Sequence, residues 1–272
     1  MDYKDILKEK YWTRYESCDF SNLKLIDTFK DDFVKSNEKN KKVVLDIKLL
    51  DLEGFDLRQC DFRGVDISSL NPQKIYDKNL EGCNLEGQHL SNWNFKDVVV
   101  WGCDFRNIDK LNLDPQKVYY KNLWGCNFEG QDLSNWDFSG VNIVRCNFKN
   151  SNISSLNPQE VWNKNLYECN FENQNLSGWN FRNVNVSGCN FKDSNISSLD
   201  PKEVLGKSLV NCRIENQDLN SWEFKEVNIS FCEFIGCNIR LTNIHKAKGV
   251  EYAYFNDCIL PVALILKRYK TG

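Results

Sequence analysis

The sequence predicts an all-β solenoid whose chain winds through stacked, four-sided coils. Three observations predict it. Apolar residues recur every five positions, as in Leu123, Phe128, Leu133, Phe138, Ile143, Phe148 and Ile153. A longer period of 43 residues carries Leu80, Leu123, Leu166 and Leu209. Nine cysteines (Cys60, Cys83, Cys103, Cys126, Cys146, Cys169, Cys189, Cys212 and Cys232) are separated alternately by 23 and 20 residues.

A five-residue beat fits neither the 3.6-residue helix nor the two-residue strand. It fits a chain that lays down a short straight face, turns a corner and repeats. The central apolar residue of each unit and the residue two before it then point inward, while the intervening Asn or Asp and the two positions that follow face water. Twenty residues make four such faces, and twenty-three make three plus one of eight. Each 43-residue unit is therefore two coils, one regular and one with a three-residue insertion. Every cysteine in the series stands two before a central residue, from Phe62 to Phe234, so the nine share one face.

The units CNFEG, QDLSN, WDFSG, VNIVR and CNFKN resemble those of the pentapeptide repeat family. The resemblance spans roughly residues 45 to 245. It implies a right-handed quadrilateral β-helix, here with short helical insertions every second coil and small capping segments at the ends.

Taken in order, residues 1–44 read as a partly helical cap or degenerate coil, because Phe29, Phe33 and Val34 share a helical face opposite many charges. Solenoid ends need such atypical caps. Residues 45–260 form the β-helix. Its insertions, SLNPQKIYDKN, NLDPQKVYYKN, SLNPQEVWNKN and SLDPKEVLGKS, each hold Asn or Asp before Pro. Asn and Asp cap helices and Pro suits the first helical position, which predicts a single helical turn there. The same face of the intervening coils carries Trp93, Trp136, Trp179 and Trp222, whose indoles are expected to fill the space beside each bowed insertion. Gln88, Gln131, Gln174 and Gln217 alternate with Ser151 and Ser194 at another inward position and require buried partners. Lys110 stands where Ile153 stands one repeat later, so the rung there is expected to be shifted or bulged. Residues 261–272 form an apolar C-terminal cap or tail.

Composition sets limits on function. The chain of 272 residues has 35 basic and 38 acidic side chains, a net charge of −3 and a mean hydropathy of −0.55. Residues 51–240 carry 26 acidic and 19 basic groups, so the repeat region is mildly acidic and the ends mildly basic. No apolar run approaches 18 residues and the first residues lack a signal-peptide core, which predicts a cytoplasmic protein away from membranes. The cysteine series reads as small, buried apolar residues. Parallel stacking suits disulfide torsions poorly, and a metal site is disfavoured because there is no CxxC pair and His89 and His245 lie far apart.

No P-loop, GxGxxG, HExxH or paired-carboxylate signature is present. The sequence therefore predicts a protein with no catalytic residues, cofactor or metal, acting as an interaction or scaffold module. Outward positions after the central residue on one face read Trp101, Trp124, Val144 and Tyr167, and the insertions add Tyr119, Tyr120 and Trp162. Trp101, Trp124, Tyr167, Tyr120 and Trp162 are thus candidates for binding a protein partner. The resemblance implies one alternative. Quinolone-resistance members of the family are dimeric, acidic, mimic duplex DNA and bind DNA gyrase. A homodimer through the apolar C-terminal end is expected on the same ground, and direct nucleic-acid binding is not. This chain departs from those members in its weak acidity, periodic insertions and termini.

Overall fold

The computed structural model describes residues 56–270, with side chains through Leu266. The N-terminal cap over 1–44 and the first beats of the repeat lie outside the described residues. The chain forms two compact units, Met1–Tyr120 and Lys121–Gly272.

In the first unit, parallel bridges join Asp61 to Asn84 and Asn84 to Asp104 on the cysteine wall, and Asn79 to Val99 on another. Leu57, Phe62, Leu80, Cys83, Leu85, Cys103 and Phe105 are buried in the centre. The rung at Lys110 is irregular. Ile108 is buried where Ser151 stands in the next repeat, but Asp109 and Lys110 are exposed and the chain bends at Asp109. Burying an unpaired ammonium would cost more than losing one bridge.

The second unit has the same square section, repeated through more coils. Parallel bridges run up three walls, through Asn127, Asn147, Asn170 and Asn190, then Asp132 with Asn152 and Asn175 with Asn195, then Asn122 with Asn142 and Asn165 with Asn185. On the cysteine wall the bridges lengthen into strands β1 (Asn190–Phe191), β2 (Arg213–Glu215), β3 (Glu233–Ile235) and β4 (Tyr254–Asn256). All three pairings are parallel, with Phe191, Ile214, Phe234 and Phe255 in register. The four walls are those that the five-residue beat predicts, and the fold is the right-handed quadrilateral β-helix that the resemblance implies. Its axis is filled by rings: Phe128, Phe148, Phe171 and Phe191 stack at 5.8–6.0 Å between centroids. A helix, α1 (Val262–Lys270), follows the final coil and packs on the short turn Ile244–Lys246.

The walls close through their Asn and Asp residues. Asn147 Oδ1 accepts the N–H of Lys149 at 3.1 Å and Asn170 Oδ1 that of Glu172 at 3.0 Å, the side-chain turn these residues favour. Asn side chains also hydrogen-bond up the wall, Asn147 Nδ2 donating to Asn127 Oδ1 and Asn190 Nδ2 to Asn170 Oδ1, each at 2.9 Å.

The fourth wall carries the insertions, and here the structure refines the expectation. Asn71, Asp114, Asn157 and Asp200 do cap with their side chains, accepting the N–H two residues on at 2.9–3.0 Å. The Pro then sits in a tight turn, and the helical element is a three-residue 3-10 turn placed later, at Tyr76–Lys78, Tyr119–Lys121, Trp162–Lys164 and Leu205–Lys207. A left-handed residue within each of these, such as Asn163 at φ 52°, prevents a continuous helix. Among the described residues no bridge forms across this wall; instead Gln159 Nε2 donates to the carbonyls of Asn180 and Arg182 at 2.8 and 3.0 Å. Gln73 does the same with Asn94 and Lys96. Beneath the insertions, Trp93 and Trp222 are buried, whereas Trp136 and Trp179 are half-buried and meet Phe128 and Phe171 edge-on at 5.2 and 5.3 Å.

Candidate interaction surface

Each cysteine on the ladder wall is preceded by a corner residue in the left-handed region. In the second unit these include Gly125 (φ 70°), Arg145 (φ 63°), Glu168 (φ 56°) and Gly188 (φ 75°). Arg145 and Glu168 bear a strain that glycine escapes. Gly188 has a further reason to be glycine, since a Cβ there would fall 2.6 Å from Glu168 Cγ and 3.3 Å from its Cα.

These corners assemble a polar-aromatic cluster. The Arg145 guanidinium lies 5.4 Å from the Trp124 ring centroid and 5.9 Å from that of Tyr167, a cation–π arrangement with two rings. Arg145 Nε is 2.5 Å from Glu168 Oε2. The hydrogen bond to Glu168 raises the pKa of both Arg145 and Tyr167, and the Tyr167 hydroxyl, with Arg145, holds the Glu168 carboxyl below its ordinary value. Trp124 is nevertheless 38% exposed, and Trp162 on its insertion 47%. Val144, expected to face outward between Trp124 and Tyr167, is buried at 9% exposure. Its neighbour Arg145 takes the outward place.

The first unit holds a separate group. Trp101 is half-buried with its ring 6.4 Å from Tyr119, whose ring lies 4.2 Å from that of Tyr120. Tyr120 is the most exposed of these aromatics, at 80%. The structure thus joins Trp124 to Tyr167 through Arg145, and Trp101 to Tyr120 through Tyr119.

The structure buries all nine ladder cysteines, Cys60, Cys83, Cys103, Cys126, Cys146, Cys169, Cys189, Cys212 and Cys232. Their thiols are also donors, which spacing alone did not reveal. Cys83 Sγ donates to the Leu57 carbonyl at 2.9 Å, Cys169 to Ile143 at 3.0 Å, Cys212 to Val186 at 3.0 Å and Cys232 to Leu209 at 2.7 Å. Burial pushes Cys169 and Cys212 up to about 12, so these thiols are not nucleophiles at neutral pH. The buried glutamines follow the same logic: Gln174 Nε2 donates to the carbonyls of Phe148 and Ser151 at 2.8 and 2.9 Å.

Outside, the position after each ladder-wall Phe forms a column of alternating charge. Lys149 Nζ lies 3.7 Å from Glu129 and 3.6 Å from Glu172, and Lys192 Nζ lies 3.2 Å from Glu172. In the first unit Arg106 pairs with Glu86 at 3.0 Å. Partners 20 or 23 residues apart become neighbours only once the coil lengths are known. Beside the fourth insertion, Arg182, Lys202, Glu203 and Lys207 line an open concavity of about 470 Å³. Lys202 and Lys207 there face Glu223 at 3.6 Å and Glu226 at 3.2 Å. His89 Nδ1 stands 3.7 Å from Asp109 on the surface. Among the described residues no group of three or more His, Cys, Asp or Glu is arranged to hold a metal ion, and no helix is long and apolar enough to cross a membrane.

The family model for pentapeptide repeats matches eight copies across residues 122–154 and 165–198. Residues 122–154 and 165–198 are pentapeptide repeats. Solved structures similar to this chain include QnrB1, a plasmid-mediated fluoroquinolone resistance protein, at 14% identity over 78% of this chain and 86% of that one, with a TM-score of 0.23. Another is HetL, a pentapeptide repeat protein involved in heterocyst differentiation regulation from the cyanobacterium Nostoc sp. strain PCC 7120, at 14% identity over 77% of this chain and 84% of that one, with a TM-score of 0.17. No curated protein sequence matches the chain.

Proposed function

We propose that this chain is a non-catalytic interaction module that binds a protein partner through the aromatic corner of its second unit, and that two copies meet through the C-terminal end. One observation carries the first part. Trp124 and Trp162 are large aromatics left 38% and 47% exposed. Aromatic and arginine side chains are the residues that dominate protein interfaces, and Arg145 with Tyr167 extends the same corner.

The test uses Trp124→Ala and Trp162→Ala with affinity capture of interacting proteins, and thermal unfolding alongside. The expected result is an unchanged unfolding midpoint and at least a tenfold loss of captured partner. A destabilised fold with capture retained per folded molecule would make the two rings structural and overturn the reading. The alternative, a DNA mimic acting on DNA gyrase, requires an unbroken acidic stripe. The alternation Glu129, Lys149, Glu172 and Lys192 weighs against it, because each carboxylate has a cation beside it within 3.7 Å.

A further inference from the structure

One wall of the second unit changes chemistry at its end. Its positions two before the central residue run Gln131, Ser151, Gln174, Ser194 and Gln217, then Cys237 and Cys258. A parallel bridge between Asn238 and Ile259 puts the two cysteines in register on adjacent coils. In-register neighbours on parallel strands stand about 4.8 Å apart, within the Cα separation of about 4.4–6.8 Å that disulfides span. Their thiols sit at equivalent carbonyls one coil apart, Cys237 Sγ 3.4 Å from Ile214 O and Cys258 Sγ 3.2 Å from Phe234 O.

This pair differs from the ladder in three respects. The thiols of Cys83, Cys103, Cys146, Cys169, Cys189, Cys212 and Cys232 each point at a carbonyl of the coil below at 2.7–3.0 Å. Cys237 and Cys258 each divide theirs between two carbonyls at 3.2–3.5 Å. Cys258 is half-buried, whereas Cys237 and the ladder cysteines are buried. Finally, the Asn238–Ile259 bridge is the last on this wall among the described residues, so a movement of Cys258 that turns its Sγ toward Cys237 and sets the disulfide torsion disturbs one ladder of hydrogen bonds rather than two.

We propose that Cys237 and Cys258 are a redox-active dithiol whose substrates are small-molecule disulfides, with glutathione disulfide as the representative. The more accessible Cys258, as its thiolate, attacks one sulfur of the disulfide, forming a mixed disulfide and expelling one thiolate. Cys237, on losing its proton, attacks Cys258 Sγ, closes the Cys237–Cys258 bond and expels the second thiolate. The two cysteines lose two electrons, the small disulfide gains them, and the two cysteine protons end on the two released thiols. The contact with Cys237 brings the Cys258 thiol down to about 7, while the same contact and burial push Cys237 up, which assigns the attacking role to Cys258.

The full chain, with its 12 cysteines, is incubated with glutathione disulfide, alkylated under native conditions and mapped by mass spectrometry without reduction. The expected product is a Cys237–Cys258 crosslinked peptide, with the ladder cysteines unmodified. Cys237→Ser, which repeats the Ser151 and Ser194 chemistry of the same wall, should fold normally and accumulate glutathione on Cys258. Cys258→Ser should abolish the crosslink. The oxidised wild-type protein should also unfold at a higher temperature than the reduced one, and Cys237→Ser should not. The proposal is overturned if the native wild type and Cys237→Ser take up glutathione on Cys258 to the same extent and no crosslinked peptide forms. A crosslink that appears only after denaturation would overturn it too.

Discussion

At the residue scale the interior of the second unit is two stacks in parallel, one of rings and one of thiols. Phe171 lies between Phe148 and Phe191 at 5.8 and 6.0 Å and receives the edge of Trp179 at 5.3 Å. Its neighbour Cys169 fills less volume but supplies an S–H for the Ile143 carbonyl. The magnitudes separate these roles. Phe171→Ala removes a ring from a column that cannot collapse without shifting the coils above and below, and is expected to cost about 3–5 kcal/mol. Cys169→Ala removes one sulfur and one weak hydrogen bond, and is expected to cost about 1–2 kcal/mol. Denaturant midpoints for both variants check the order. Equal losses would mean that the thiol column, rather than the rings, sets the spacing of the coils.

At the element scale the insertion is the feature that makes this repeat unlike a plain square coil, and its hydrogen bonding shows how an interrupted wall is repaired. Three walls are held by backbone bridges; the insertion wall has isolated backbone hydrogen bonds, such as that from Gly140 N–H to the Glu160 carbonyl, and a glutamine that reaches two carbonyls of the next coil. The fourth insertion has Lys202 at that position, and its ammonium instead faces the Glu223 carboxylate at 3.6 Å. An exposed ion pair contributes little, so Lys202→Gln, by bridging the carbonyls of Glu223 and Lys225, should add about 1 kcal/mol. Hydrogen exchange around Glu203 and Asn183, whose N–H donates to the Glu203 carbonyl at 2.8 Å, should slow correspondingly. Gln159→Ala should have the opposite effect at Glu160. Much of this wall was legible beforehand. The 43-residue period located the insertions, and Asn or Asp before Pro located their caps. The glutamine bridge was not legible, because an NPQ triplet looks like ordinary turn chemistry until the carbonyls of Asn180 and Arg182 are placed opposite it. The cation over Trp124 was hidden for a similar reason: Val144 is buried and Arg145, at a left-handed corner, lies over the ring, which a five-residue beat does not register.

At the scale of the whole molecule, the exposed apolar residues concentrate after the last insertion. Phe231, Leu241, Tyr252, Tyr254, Ile259, Val262 and Leu266 are each more than half exposed, while earlier coils show the aromatic corner and insertion residues instead. Phe231 and Tyr252 stack on each other at 5.6 Å, and Leu264 of α1 is buried. The helix therefore uses one face for its own unit and leaves Val262 and Leu266, 70% and 57% exposed, on another. Apolar surface gathered in one region is the usual mark of an interface, and burying it against its own copy gives a closed, twofold contact. The proposed dimer makes a direct prediction. Val262→Glu with Leu266→Glu should halve the mass measured by light scattering at micromolar protein, and should leave the unfolding midpoint of the separated subunit intact, because neither side chain belongs to the packed face. An unchanged mass in both proteins, monomeric throughout, would remove the dimer and leave this surface to a different chain. An unchanged dimeric mass would move the contact away from α1.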